Sequence, residues 1–297
     1  MSVTVSPTSK RPYGVQRVCA AWNVPRSSCY AAWRDDPSPA VPAATRGPKP
    51  AVSDDTLLAL IRTDLATSPF QGEGHRKVWA RLKILQGVRT GRKRVLRIMR
   101  QHQLLSPHRQ PRGADLVHDG TIITDAPGIM WGTDGTRVFT VDQGWCWIFV
   151  AVEHWNAECL AWHVCKTGSR YAALEPIAAG LTRAYGAVGA DVGRGLQLRM
   201  DNGTQYLSDH FLNQIRHWGI TPSFAFIEQP QTNGVAERFN RALKEQVIHG
   251  RIFRTVEELR VAVAAFVERY NAHWRIEKLG FLTPTEARLR HALAAAA

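Results

Sequence analysis

The sequence predicts an α/β protein: a mixed five-stranded sheet flanked by helices, preceded by an all-helical region that carries the excess positive charge. The first observation is a change of hydrophobic period near residue 121. Before it, apolar residues recur at helical spacing. After it come three consecutive β-rich stretches, followed by helix and strand in alternation. That order is typical of a mixed sheet covered by helices.

The second observation is the distribution of charge. The 297 residues include 38 Lys+Arg and 25 Asp+Glu. Residues 1–113 hold 20 of the basic and 6 of the acidic side chains, and the remaining residues are close to neutral. This asymmetry favours a polyanion-binding module attached to a near-neutral domain. The alternative is a solvated basic face that binds nothing.

Composition excludes several classes of protein. A hydrophobic fraction of 44% excludes disordered and collagen-like chains. No apolar run reaches the roughly 18 residues of a spanning helix, so no membrane role is expected. The first residues lack a secretory signal, so we expect the protein to stay in the compartment where it is made, the cytoplasm. Five cysteines without a CxxC pair predict reduced thiols, with neither a zinc site nor a disulfide framework.

The chain divides where its composition changes. We expect a short helical segment, a Pro/Ala-rich linker, a basic helix-turn-helix domain, and a sheet-containing core with C-terminal helices. In the first segment, Pro25 interrupts a helical pair over 11–33, and Ser27 is the expected cap of its second helix. The expected boundaries are 1–35, 36–52, 53–113 and 121–290.

The basic region has the pattern of a helix-turn-helix. Helices are expected over 53–66, 74–86 and 91–102, with Gly87 in the turn and Thr90 capping the third. Residues 74–112 contain twelve Lys or Arg and no acid. In such a motif the second helix of the pair meets DNA. The residues expected to face phosphates or groove edges are Arg92, Lys93, Arg94 and Arg97.

The second part of the chain supplies the sheet. The four tryptophans within its strands, Trp131, Trp145, Trp147 and Trp162, are expected in the core. Helices are expected over 169–186, 208–218 and 233–248. Strands are expected over 129–141, 145–152, 159–164, 196–200 and 222–227.

Three acids stand out by position. Asp134 lies inside the first strand, Asp201 follows a strand in an Asp-Asn-Gly turn, and Glu237 lies one turn into a helix. Elements of one sheet can bring such carboxylates together, and oxygen ligands suit hard divalent cations. Each acid alone also has an ordinary structural explanation, as a turn former, a helix-dipole partner or a strand bulge.

The residues around these acids carry a resemblance. Asp201 and Glu237 are separated by 35 residues, within RMDNGTQYLS and QPQTNGVAERFNRALKEQ. This resembles the DDE integrase core, and more closely the second-reading-frame protein of insertion-sequence transposases of the IS-three family. GEGHRKVWARLKILQGVRTGRKRVLRIMRQHQLL is similar to the basic helix-turn-helix of that family, and YNAHWRIEKLGFLTPTEARL to its C-terminal ending. The resemblance covers about residues 11–290.

The resemblance implies a ribonuclease H-like fold and a transposase that nicks DNA at 3′ ends and transfers strands. Asp134, Asp201 and Glu237 become the catalytic residues and the ligands of two Mg²⁺ ions, for which Mn²⁺ substitutes in the family. Water cuts one strand at the element's end, and the freed 3′-hydroxyl attacks another phosphodiester. Both steps are in-line displacements at phosphorus, so one site serves both.

The resemblance also implies DNA contacts and partners. Arg241 and Lys244 lie four and seven residues after Glu237, on the same helix face. Gln205, Gln231 and Asn233 match positions beside the substrate. The implied partners are the terminal inverted repeats, the target DNA, further copies of the chain, and an upstream-frame protein with its own helix-turn-helix and leucine zipper.

Two other functions share these features. One is a ribonuclease H-like nuclease that only hydrolyses, and the other is a catalytically silent DNA-binding regulator derived from a transposase. The chain also departs from the family after its second strand, where Glu153-His154-Trp155-Asn156 replaces an Asp and an aromatic-Ser-Arg turn. This departure removes no metal ligand, and it leaves the role of that hairpin open. A nucleophilic role for Tyr206 would require a different chemistry.

Overall fold

The computed structural model describes residues 3–33, 51–107, 122–225 and 234–296. The chain divides into two compact units, Met1–Lys49 and Pro50–Ala297. The predicted linker lies almost entirely outside the described residues, as do Gln231 and Asn233.

The first unit contains a pair of short helices, α1 (Gly14–Ala21) and α2 (Arg26–Ala32). The turn between them includes Asn23, which adopts a left-handed backbone at φ 51°. The prediction that Ser27 caps α2 is wrong, because α2 begins at Arg26 and Pro25 occupies the cap position at φ −59°. The proline ring fixes that angle, and no side chain accepts a capping hydrogen bond at this helix start.

The second unit begins with three helices: α3 (Asp54–Thr67), α4 (His75–Leu85) and α5 (Arg92–Gln101). The Ser53 side chain caps α3 by accepting a hydrogen bond from the Thr56 amide. Gly91 rather than the predicted Thr90 precedes α5, without a side-chain cap. The three helices enclose a small apolar core of Leu57, Ile61, Val78, Leu82, Val95, Ile98 and Met99.

A buried ionic cluster joins α3 to α4. Arg81 donates hydrogen bonds to both carboxylate oxygens of Asp64, at 2.7–3.2 Å, and also pairs with Glu73. All three side chains are less than 10% exposed. Arg81 was counted among the basic residues of the predicted DNA-binding region, yet here it neutralises two buried acids within its own domain.

The sheet has the strand order β3-β2-β1-β4-β5. β1 pairs antiparallel with β2, and β2 pairs antiparallel with β3. β4 joins the other edge of β1 in parallel, and β5 pairs in parallel with β4. The mixed five-stranded sheet predicted from the sequence is therefore confirmed. The strands are β1 (Met130–Thr140), β2 (Gly144–Glu153), β3 (Cys159–Cys165), β4 (Gln197–Met200) and β5 (Thr221–Phe224).

Helices cover both faces of this sheet. On one face, α6 (Arg170–Tyr185) and α7 (Asp209–His217) bury a core with Trp131, Phe149 and Leu198. On the other, α8 (Gly234–Leu243) and α9 (Val256–His273) pack through Phe239 and Phe266. The chain ends with α10 (Pro284–Ala296). The α-helix predicted over 233–248 stops at Leu243 and continues as one π-helical stretch, Lys244–Ile248.

The three-helix domain packs against the C-terminal part of the core. Phe70 belongs to the same apolar cluster as α8 and α9, and its ring meets Trp274 edge to face at 4.8 Å. Gln71 and Gln246 exchange two hydrogen bonds, at 3.0 and 2.8 Å. Glu277 accepts hydrogen bonds from Arg76 and Arg92, on two different helices of the domain.

One core prediction is wrong. Trp145 lies near the β1–β2 turn and is 57% exposed, with the Arg137 guanidinium over its ring at 5.3 Å from the centroid. It packs on Phe139 of the neighbouring strand instead, at 5.6 Å between ring centroids. Trp131 is fully buried as expected. In the part of the chain that the structure describes, no helix is both long and apolar enough to cross a bilayer.

Candidate active site

Asp134 lies in the middle of the longest strand, where a charge normally costs free energy. Its Oδ1 accepts a 2.8 Å hydrogen bond from the Gly135 amide, and its Oδ2 accepts one of 2.8 Å from the side chain of Asn240. Side chains alternate along β1, so Asp134 and Thr136 face α8 while Gly135 faces Phe149. The strand therefore directs the carboxylate at the helix that carries the third acid.

Strand pairing brings Asp201 to Asp134. β1 and β4 run parallel, with Gly132 opposite Arg199, so each acid lies two residues beyond this pair. β4 ends at Met200, and Asp201 begins the turn that follows. Its Oδ1 accepts a 2.9 Å hydrogen bond from the Gly203 amide. A side chain at position 203 would stand 2.9 Å from that oxygen, which explains why glycine suits the turn.

Glu237 lies in the first turn of α8, and Asn240 lies three residues later on the same helix. Ala236, Phe239 and Leu243 lie on the buried side of α8. The sequence analysis did not identify Asn240. Its spacing from Glu237 was the available signal, because residues three apart share a helix face.

The three acids lie close enough to influence one another. Burial raises the pKa of Asp134, and the charge of Asp201 raises it further. Burial also raises the pKa of Glu237, followed by the charge of Asp134, with a smaller contribution from Asp201. Like charges close together disfavour ionisation, so the cluster is unfavourable without a compensating cation.

Cations of the chain lie beside these acids. The charges of Arg241 and Arg238 lower the pKa of Glu237, and that of Lys244 lowers the pKa of Asp134. Arg241 and Lys244 are exposed, as is Arg238. The structure therefore brings together the three predicted acids and two of the predicted DNA contacts. It adds Arg238, which the sequence analysis did not identify.

The donor set fits a hard divalent cation. Asp134, Asp201 and Glu237 offer only carboxylate oxygens, the ligands that Mg²⁺ and Mn²⁺ prefer. A bound cation would offset the repulsion that raises the pKa values of Asp134 and Glu237. Within residues 3–33, 51–107, 122–225 and 234–296, no three His, Cys, Asp or Glu side chains already stand grouped as ligands. The acids in the described residues therefore interact electrostatically, although they are not arranged as a ready set of metal ligands.

The predicted contacts on α5 have internal partners. Arg92 pairs with Glu277 at 2.9 Å, while Arg94 and Arg97 both pair with Asp54 at 2.6 Å. Lys93 is exposed and forms no ion pair with the described part of the chain. The same holds for Lys83, Arg89 and Arg100. The basic domain therefore contains two groups of cations, one internally paired and one facing solvent.

The neighbours of Asp201 have different exposures. Gln205 is half-buried, with its amide near the Gly203 backbone. Tyr206 is fully buried, and burial raises the pKa of its phenol. A buried, protonated phenol cannot reach a phosphodiester, so Tyr206 is a core residue of the α7 side of the sheet.

The departure after β2 has a structural role. The buried Glu153 carboxylate accepts hydrogen bonds from the Gly128 and Trp155 amides and from the Trp131 indole, at 2.9–3.2 Å. Asn156 donates to the Pro284 carbonyl at the start of α10. This hairpin fixes the start of β1 and anchors the C-terminal helix.

Comparisons with known proteins identify two kinds of domain in the chain. Residues 124–230 and 218–284 each match an integrase core domain, and residues 53–112 match an HTH-like domain. The chain is 23% identical over 288 residues to the transposase for insertion sequence element IS629 of Shigella sonnei. That alignment covers 94% of this chain and 92% of the relative.

Two further proteins are similar. Transposase InsD for insertion element IS2A/D/F/H/I/K of Escherichia coli is 28% identical over 248 residues, which is 79% of each chain. The catalytic core domain of BIV integrase is 23% identical, with a TM-score of 0.41, covering 57% of this chain and 99% of that one. The predicted integrase core and helix-turn-helix are confirmed by the family matches.

Proposed function

We propose that this chain is an insertion-sequence transposase of the IS-three type, with an integrase core behind an HTH-like domain. It cuts DNA at 3′ ends and joins these ends to new phosphodiesters, at a site formed by Asp134, Asp201 and Glu237. The observation that carries the proposal is the electrostatic effect of neighbouring carboxylates on Asp134 and Glu237. The three acids come from a strand, a turn and a helix, yet the charge of Asp201 raises the pKa of Asp134, and the charges of Asp134 and Asp201 raise that of Glu237. Like charges that perturb the pKa of their neighbours are characteristic of a functional site, and this supports the proposal.

The three carboxylates are the proposed ligands of two Mg²⁺ ions, for which Mn²⁺ can substitute. When bound, such ions neutralise charge on the scissile phosphate and activate the attacking oxygen. Asn240 holds one oxygen of Asp134 and the Gly135 amide holds the other, so the carboxylate has a fixed orientation. The Gly203 amide does the same for Asp201. Fixed ligands reduce the reorganisation needed when the substrate arrives.

The exposed cations beside the acids are proposed to hold DNA. Arg241 and Lys244 follow Glu237 on one face of the helix, so a strand held by them would pass the carboxylates. Gln205 is proposed as a further contact after Asp201, and Gln231 and Asn233 as contacts ahead of α8. The basic three-helix domain is proposed to bind duplex DNA at the element's ends.

Assembly and location follow from the same proposal. Two DNA ends joined to a target need more than one active site, so we propose that several copies assemble on DNA, with an upstream-frame partner supplying further end recognition. Such a protein acts where the cell's DNA lies, at the nucleoid in the cytoplasm.

The test is a cleavage and joining assay with labelled oligonucleotides carrying the ends of the flanking element. The wild type with Mg²⁺ is compared with Glu237→Gln and with a matched control, Glu245→Gln, which removes the same charge two helical turns later. We expect nicked and joined products from the wild type and the control, and neither from Glu237→Gln. Equal activity of all three proteins would overturn the assignment of Glu237.

The same assay separates the alternative functions. Nicking without joined products, even with an upstream partner added, would favour a nuclease that only hydrolyses. Binding to the ends without any cleavage in Mg²⁺ or Mn²⁺ would favour a silent DNA-binding regulator.

A further inference from the structure

The N-terminal helical pair has very little apolar core. In residues 3–33, Cys19 is the one buried side chain, while Trp22, Tyr30 and Trp33 are all more than half exposed. Segments shorter than about 40 residues rarely bury enough surface to fold alone, and disulfides, metals or association usually compensate. Packing within this pair of helices therefore does little to hold α1 and α2 together.

Two cysteines meet at the contact between these helices. Cys19 lies on α1 and Cys29 on α2, and their sulfur atoms are 3.3 Å apart, within hydrogen-bonding distance. Both are free thiols. A disulfide bond is about 2.05 Å long, so side-chain rotations that close about 1.2 Å would join the two atoms. The turn through Asn23 and Pro25 already brings the helices into this arrangement.

We propose that Cys19 and Cys29 form a reversible disulfide bond when a small-molecule disulfide oxidises them. This bond cross-links α1 to α2. The site lies outside the integrase core and does not depend on its activity. A disulfide stabilises by restricting the unfolded chain, and a segment with almost no core gains the most in proportion.

The exchange balances as two substitutions at sulfur. The Cys29 thiolate attacks one sulfur of glutathione disulfide, forming a mixed disulfide and releasing one glutathione thiolate. The Cys19 thiolate then attacks the Cys29 sulfur, and the second glutathione thiolate leaves. The two protons lost by the cysteines end on the two glutathione thiols. The protein loses two hydrogens, and one glutathione disulfide is reduced.

The surroundings of the two cysteines favour reaction at Cys29 before Cys19. Cys29 is half-exposed whereas Cys19 is buried, so Cys29 meets the oxidant first. The hydrogen bond with Cys29 raises the pKa of Cys19, which keeps Cys19 protonated until its neighbour has reacted. Arg26 lines a depression beside Cys19 and places a positive charge near the pair. That charge favours an anionic oxidant such as glutathione disulfide.

Other thiols of the chain provide a contrast. Cys159 is fully buried in the sheet, and burial raises its pKa far above the usual range. Cys165 is half-exposed and donates to the Thr167 carbonyl. Cys165→Ser is therefore a matched control that removes a partly exposed thiol away from the helical pair.

The experiment incubates the full-length protein with glutathione disulfide, alkylates the remaining thiols after unfolding, and maps the peptides by mass spectrometry. We expect a cross-linked peptide joining Cys19 and Cys29, reversible with dithiothreitol, in the wild type and in Cys165→Ser. Cys29→Ser should give no cross-link. A stable glutathione adduct on Cys29 without closure to Cys19 would overturn the proposal.

A second measurement, which needs no variant, tests whether the disulfide bond holds α1 and α2 together. Trypsin sites at Arg17 and Arg26 lie within the helical pair, and cleavage there requires local opening. We expect at least about a tenfold slower cleavage at both sites after oxidation, restored by dithiothreitol. Equal cleavage rates in the oxidised and reduced proteins would show that the bond does not hold the helices together.

Discussion

The side-chain amide of Asn240 on α8 donates a 2.8 Å hydrogen bond to Oδ2 of Asp134 on β1. This bond links the helix that carries Glu237 to the strand that carries Asp134. It also lowers the pKa of Asp134, opposing the effect of burial. Asn240 is therefore a positioning residue, which acts on the site through the carboxylate that it holds.

Replacing Asn240 should change the pH dependence of cleavage. In Asn240→Ala the charged form of Asp134 loses a hydrogen bond, so its pKa rises further above the ordinary value. The acidic limb of the rate profile should then move to higher pH, with loss of rate greatest at low pH. The measurement is single-turnover nicking against pH. A rate reduced equally at every pH would point to a merely structural effect of Asn240.

The acid cluster should destabilise the fold at neutral pH. The pKa of Asp134 is raised in the folded protein, so its contribution to stability is present below the unfolded pKa of about 3.9 and is lost as pH rises. Asp134→Asn should therefore raise the melting temperature at pH 7, by about 2–4 °C for each kcal/mol recovered. The gain should shrink as the pH falls towards 4.

The control for this variant is Asp125→Asn. Asp125 is an exposed acid in the described segment before β1, so its replacement should leave the melting temperature unchanged. Added Mg²⁺ should raise the melting temperature of the wild type more than that of Asp134→Asn. No gain at pH 7 would show that the carboxylate is not electrostatically unfavourable.

DNA binding should depend more on the solvent-facing cations than on the paired ones. Lys93 and Arg100 lie seven residues apart on one face of α5, and both are exposed. Replacing both with Ala should reduce the slope of log K against log salt by about 2, since about one counterion is released for each phosphate contact. Arg94→Ala should change the slope less, because Arg94 already pairs with Asp54. Titrations at several salt concentrations give both slopes, and the reverse ranking would contradict the assignment.

The stability of the three-helix domain should depend on Arg81. Arg81→Ala leaves Asp64 and Glu73 buried without their shared partner. Losing one member of a buried ionic cluster typically costs about 3–5 kcal/mol. Arg62→Ala removes an exposed arginine from α3 and should change stability by less than about 0.5 kcal/mol. Denaturant unfolding of the two variants provides the comparison, and a similar small effect in both would show that the cluster is dispensable.

The sequence by itself determined the periodic elements and singled out the three acids as candidates. The change of period near residue 121 predicted the five strands in their observed order along the chain, and the regular apolar spacing predicted α3, α4 and α5 to within two residues. Asp134, Asp201 and Glu237 were identifiable because their types and local positions conflict with ordinary packing or fit a motif. Such features depend on near neighbours in the chain, which the sequence displays directly.

Tertiary structure decided which charges pair and which face solvent. Nothing local indicates that Arg81 meets Asp64, that Glu277 accepts from Arg92 across 185 positions, or that Asn240 reaches Asp134 across 106. Trp145 had the alternation of a core residue but is 57% exposed near the β1–β2 turn. Burial and ion pairing depend on what packs against a side chain from distant parts of the chain, and only the folded arrangement of layers fixes that.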